Sequence, residues 1–167
     1  KQAKQGKILY RIPGVMQVGK ETTCFIRIAF NEEDLTYDIT VQQGDDIQEL
    51  RRISDVMSVE LIDPSSEQIF TIRSFSANTQ FIDKGDYTEW QFFVLPHKAG
   101  EFSLLVKVCV IEIINEQERK KERILEEKVQ IVTEEPVIAE PAYKELEDAF
   151  LLGIPASFGQ VTTTKRS

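Results

Sequence analysis

The chain has 167 residues, 41% of them hydrophobic with ten Phe, which suffices for one cored domain and an appended arm. Its formal net charge of −8 argues against a protein that draws its affinity from neutralising phosphates with Lys and Arg, so nucleic acid is not an expected partner. Apolar residues alternate with charge, and no run approaches the ~20 needed for a membrane helix, so no membrane span is expected.

Charge is unevenly distributed. Residues 1–20 carry Lys1, Lys4, Lys7, Arg11 and Lys20 without an acid, which reads as a solvated basic arm. A chain opening on Lys1 reads as an excised piece that could have lost an export signal. Period-two alternation with turn residues between the runs recurs from here onward, which is the signal of an all-β fold. KILYRI is a first strand ended by Pro13-Gly14. TTCFIRIAF places Cys24, Ile26, Ile28 and Phe30 on one face and Thr23, Phe25 and Arg27 on the other.

In the next segment Leu35, Tyr37, Ile39 and Val41 alternate like a short strand. DDIQELRRI then has an acidic start and apolar residues at 47, 50 and 53, a spacing that predicts a brief helix. DVMSVELID turns Met57, Val59 and Leu61 inward, and Asp63-Pro64-Ser65-Ser66 reverses the chain. IFTIRSF, TQFI and TEWQFFVL follow, the last with Trp90, Phe92 and Val94 on one face. Pro96 ends it and HKAG turns the chain.

Ten charged residues fall within the thirteen from Glu116 to Lys128, between an apolar run at 102–114 and KVQIVT. A helix over 115–132 and a long hairpin compete for this stretch. No Gly marks a turn. Yet a lone edge at 102–114 would expose a long apolar ladder, and the β-branched KVQIVT is its nearest partner, so a hairpin with a charged tip is expected. The predicted body is an antiparallel sandwich of seven to nine strands over residues 1–134, with Ile26, Ile28, Val59, Leu61, Trp90, Phe92, Val106 and Val108 in its core. Residues 135–167 read as an acidic, Pro-containing linker and tail. Its Tyr143, Leu146, Phe150 and Leu151 form one face of a short amphipathic helix and are the candidate partner-binding residues.

Catalytic and metal chemistry are poorly provided for. The single histidine, His97, lies in a turn, and Cys24 and Cys109 sit mid-strand without CxxC or HxxxH spacing, so neither metal nor cofactor is expected. The acidic loops lack the spacing of a calcium loop, and PGVMQVGKET lacks that of a phosphate loop. Cys24 and Cys109 fall on faces of different parity, since Cys109 lies opposite Phe102, Leu104, Val106, Val108 and Val110. That favours reduced thiols and a cytoplasmic setting over an inter-sheet disulfide, with secretion left open.

The stretches ILYRIPGVMQVGKETTCFIRIAF, ISDVMSVELID, QFIDKGDYTEWQFFVLPHKAGEFSLLVKVCVIEI and ERKKERILEEKVQIV together resemble an immunoglobulin-like β-sandwich accessory module of bacterial multidomain proteins, caspase-like peptidases and conflict-system proteins among them. The similarity covers residues 7–133 and rests on sandwich-building features: VGK before the second strand, TEW opening another, the PHKAG turn and the charged hairpin. It implies a non-catalytic module, and the function expected of the chain is that of an interaction or regulatory module of a larger bacterial effector or signalling protein, binding a protein partner or an adjacent domain of the same polypeptide through a sheet edge or the tail. It brings no functional residues with it. Two other functions compete: a thiol-dependent hydrolase pairing Cys24 or Cys109 with His97, and an extracellular adhesion domain.

Overall fold

The structure, a computed structural model, describes residues 4–133 together with 162–163 and 165–166. The chain divides into two units, Lys1–Glu134 and Glu135–Ser167. In the first, the order is β1 (Lys4–Arg11), β2 (Val15–Gln17), β3 (Thr22–Ala29), the helical turn α1 (Glu32–Leu35), β4 (Asp46–Ile53), β5 (Val56–Ile62), β6 (Phe70–Ser74), β7 (Thr79–Phe81), β8 (Thr88–Pro96), β9 (Gly100–Ile114) and β10 (Gln117–Val132). In the second, β11 (Thr162–Thr163) and β12 (Lys165–Arg166) pair in parallel. No helix among the described residues is long and apolar enough to cross a membrane.

The ten strands of the first unit form two five-stranded sheets, in the orders β4, β1, β3, β8, β6 and β2, β10, β9, β5, β7. Both sheets feed one hydrophobic cluster. Ile8, Ile26, Ile28, Trp90 and Phe92 come from the first sheet, and Met57, Val59, Leu61, Val106, Val108 and Val129 from the second. All eight core residues expected from the sequence are buried in it. The parity of each run decides this, because alternate side chains of a strand share a face. Trp90 also satisfies its one polar atom, donating Nε1–H to the Asn78 carbonyl at 2.8 Å.

The stretch with the charged tip is a hairpin. β9 and β10 pair in unbroken antiparallel register from Ile114↔Gln117 to Gly100↔Ile131. Its two-residue loop places Asn115 (φ 52°) and Glu116 (φ 66°) in the left-handed region, as a type I′ turn requires. Asn takes the first of these positions readily, which is how the turn forms without Gly.

Three expectations are corrected. Of residues 45–53, where a helix was expected, Asp46–Ile53 form strand β4: it pairs with β1, and its register slips by one residue between Gly6↔Leu50 and Lys4↔Ile53. That bulge turns both Leu50 and Ile53 into the core while Ile47 packs on the other side of the sheet, so apolar spacing of three arises inside a strand. Residues 35–41 are not a strand either. Leu35 ends α1 and is buried, whereas Tyr37 is 84% exposed. The sheets are also not purely antiparallel, because β2, which the sequence reading missed, runs parallel to the end of β10 from Val15↔Gln130 to Gln17↔Val132. With β2 and β4 the described strands of this unit number ten, above the expected seven to nine.

Candidate interaction edge and cleft

β10 is the longest of the described strands, and along most of its outer edge no other described strand pairs with it. Gln130 donates its N–H to the Gly14 carbonyl, and Val132 accepts from the Val18 N–H, so even-numbered residues of β10 aim their backbone groups away from β9. The unbroken register carries this alternation along the strand. Glu118, Lys120, Glu122, Ile124, Glu126 and Lys128 therefore present N–H and C=O groups against which no strand lies among the described residues.

Odd-numbered residues of β10 point their side chains the other way. Leu125, Val129 and Ile131 reach the core, and Lys121 and Arg123 continue the same face beside their cross-strand partners Val110 and Val108. There they meet β4, the edge of the other sheet, across an open cleft of about 1130 Å³. Leu50, Val108, Val110 and Ile114 give it an apolar lining, and Arg51, Arg52, Lys121 and Arg123 bring four cations to it. Two acidic residues border it, and both are engaged: Glu112 with Arg52 at 3.0 Å, and Glu122, whose side chain lies on the opposite face of β10, with Lys107 at 3.1 Å. Arg123 donates instead to neutral acceptors on β4, the Glu49 carbonyl at 3.1 Å and Gln48 Oε1 at 3.4 Å. Arg51 and Lys121 make no ion pair among the described residues.

A polar cluster continues from Arg123 through Gln48. The Gln48 amide donates to the Tyr10 hydroxyl at 3.0 Å, and Tyr10 donates to Asp46 Oδ2 at 2.9 Å. Burial, and then the Asp46 carboxylate, hold the Tyr10 phenol above its ordinary range. Burial also raises the Glu127 carboxyl, the nearby Tyr10 hydroxyl opposing the rise and the Asp46 charge adding to it.

The far face of the β1 and β3 sheet is closed by its own loop. Arg27, only 4% exposed, donates to Glu89 at 2.8 Å, to the Leu35 carbonyl at 2.9 Å and to Asp38 at 2.8 Å. The Tyr87 ring lies 3.6 Å from its guanidinium carbon and donates its hydroxyl to Asp38. Arg11 grips Asp45 through two bonds of 2.7 Å and reaches the Thr40 carbonyl. Two arginine side chains thus tie residues 35–45 to the sheet where a strand was expected, and this cluster is consumed by internal partners.

Comparison with family models, with curated proteins and with solved structures returned no match. What the chain offers a partner is therefore read from its own geometry. Tyr143, Leu146, Phe150 and Leu151 lie outside the described residues, as does the short helix expected there. Cys24 and Cys109 are both free and buried, Cys24 within the main core and Cys109 outside it. Burial pushes the Cys24 thiol up to about 12, which leaves little thiolate at neutral pH. His97 shares a 2.6 Å hydrogen bond with the Thr71 hydroxyl at the surface. Among the described residues no group of three or more His, Cys, Asp or Glu is arranged to hold a metal ion.

Sequence reasoning missed the cleft because it placed Arg51 and Arg52 on a helix. The signal available was the adjacent pair of arginines between the apolar Leu50 and Ile53, a common way to charge a sheet edge.

Proposed function

We propose that this chain is a non-catalytic interaction module of immunoglobulin-like sandwich type, belonging to a larger bacterial effector or signalling protein and working in the cytoplasm. It engages a protein partner or an adjacent domain of the same polypeptide. The observation that carries this reading is the outer edge of β10, where six residues of a sixteen-residue strand aim backbone groups at no neighbouring strand among the described residues. Natural sheets shorten, cover, bend or charge such edges; this one carries charge at all but Ile124 of the six, yet its long unbroken row of backbone groups still offers a template for strand addition. The two buried thiols suit a reducing compartment. The segment bearing Tyr143, Leu146, Phe150 and Leu151 is proposed, on its apolar spacing alone, as a second contact.

The test is capture by cross-linking in extracts of the source cell, comparing the native sequence with Ile124→Pro and Glu126→Pro. Each proline removes one outward N–H and leaves the bonds to β9 intact. Partners captured by the native chain and lost with both prolines, at unchanged melting temperature, are expected. Capture indifferent to the prolines overturns the edge as the binding surface. One thiol labelling orders of magnitude faster than a free cysteine in the native protein would instead mark an enzyme.

A further inference from the structure

The geometry points to the class of partner that this edge takes: an acidic extended peptide that adds as a strand beside β10 and lays its carboxylates against Lys121, Arg123 and Arg51. The inference rests on the edge reading above and goes further by naming the chemistry of the partner.

Three observations carry it. First, the outward N–H and C=O groups from Glu118 to Lys128 provide for main-chain pairing and for nothing else, since a strand's edge groups bind another strand irrespective of its sequence. Second, a strand added there places alternate side chains beside those of Lys121 and Arg123, because residues opposite one another in a sheet share a face. Those side chains enter the cleft toward Arg51, so the inward positions of the partner meet three cations that no carboxylate neutralises among the described residues. Third, these cations stand out in a chain of net charge −8, while the Glu112 carboxylate of the cleft is already paired with Arg52 and that of Glu122 with Lys107 on the opposite face. Apolar side chains of the same peptide have Ile124, 49% exposed, on the outer face to cover. A polynucleotide would satisfy the cations but not the backbone edge, which is why a peptide is favoured.

The probe is a fluorescently labelled peptide alternating Glu with Val, whose own charge keeps it monomeric, compared with the same peptide carrying Lys for Glu. Binding is followed by anisotropy, and the site by amide exchange in NMR spectra of the chain. The Glu peptide is expected to bind, to protect the amides of Glu122, Ile124 and Glu126, and to weaken as salt rises. Lys121→Glu, which breaks no side-chain hydrogen bond or ion pair among the described residues, and Arg123→Glu are each expected to weaken it at least about tenfold, and Ile124→Pro likewise. Equal binding of the two peptides, or binding unaffected by both charge reversals, overturns the acidic partner while leaving the edge in place. Protection away from β10, or binding that survives Ile124→Pro, overturns the edge and the proposed function with it. Failure of the Glu peptide to bind at all, or its displacement by a single-stranded oligonucleotide as readily as by unlabelled peptide, overturns the inference.

Discussion

Glu116 sits in the left-handed region at φ 66°, a conformation that costs a residue with a Cβ about 1–2 kcal/mol. Glu116→Gly removes that cost and adds some backbone freedom to the unfolded chain. A net gain of about 0.5–1 kcal/mol is expected, seen as a higher urea midpoint at unchanged slope. Gly6 is the opposite case. A Cβ there would stand 2.5 Å from Ile53 Cδ1 and 2.8 Å from the Ala29 carbonyl oxygen, and that oxygen belongs to backbone that cannot swing away. Gly6→Ala is expected to cost about 1–3 kcal/mol, and shortening the neighbour with Ile53→Val should not restore the loss. Both effects are read by thermal melting.

Two carboxylates are expected to respond to pH with opposite sign. Partial burial raises the Asp63 carboxyl, but the N–H groups of Ser65, Phe70 and Ile69 outweigh it and hold the group below the usual range. Its contribution is present above the unfolded value of about 3.9 and is lost as pH falls through the folded one. Asp63→Asn should therefore destabilise at pH 7, by about 1 kcal/mol given its exposure, and flatten the acid limb of the stability curve. For Glu127 the folded value is raised, so its favourable contribution exists at low pH and disappears as pH rises through that value. Glu127→Gln is expected to leave stability at pH 7 equal or higher. A clear loss there would show that the charged form is held by groups other than Tyr10.

At the scale of elements, the segment 35–45 depends on arginine side chains instead of a strand ladder. Arg27 bonds two carboxylates and a carbonyl from a nearly fully buried position. Arg27→Met takes its donor from Glu89 Oε1, leaving that carboxylate only the Gln91 amide on Oε2, and takes the arginine's bond from the Leu35 carbonyl; it is expected to cost about 3 kcal/mol, with amide exchange rising first in residues 31–45. β4 teaches a related lesson. Its apolar positions 47, 50 and 53 match a helical period, yet the bulge opposite Lys4 and Gly6 produces that spacing in an extended chain. The hairpin, by contrast, was legible without its turn residue, because an apolar strand of fifteen residues needs a partner and the following segment was the nearest.

For the whole molecule, the sequence by itself determined the faces. Alternation put Ile26, Ile28, Trp90, Phe92, Val106 and Val108 inward, and the parity of Cys24 and Cys109 separated the two thiols onto different faces. These are local properties of an extended chain, in which every second side chain shares a side. Tertiary structure alone decided which strands are neighbours, that β4 is a strand, and that β2 runs parallel to β10. It also assembled the cleft. Arg51 lies some seventy residues from Lys121 and Arg123, and no period or motif links them. They converge because β4 ends one sheet and this part of β10, which β2 does not reach, borders the other on the same side, so that Arg123 reaches the Glu49 carbonyl. Pairing between distant strands is set by the summed burial of both sheets, a quantity that no single window of residues contains.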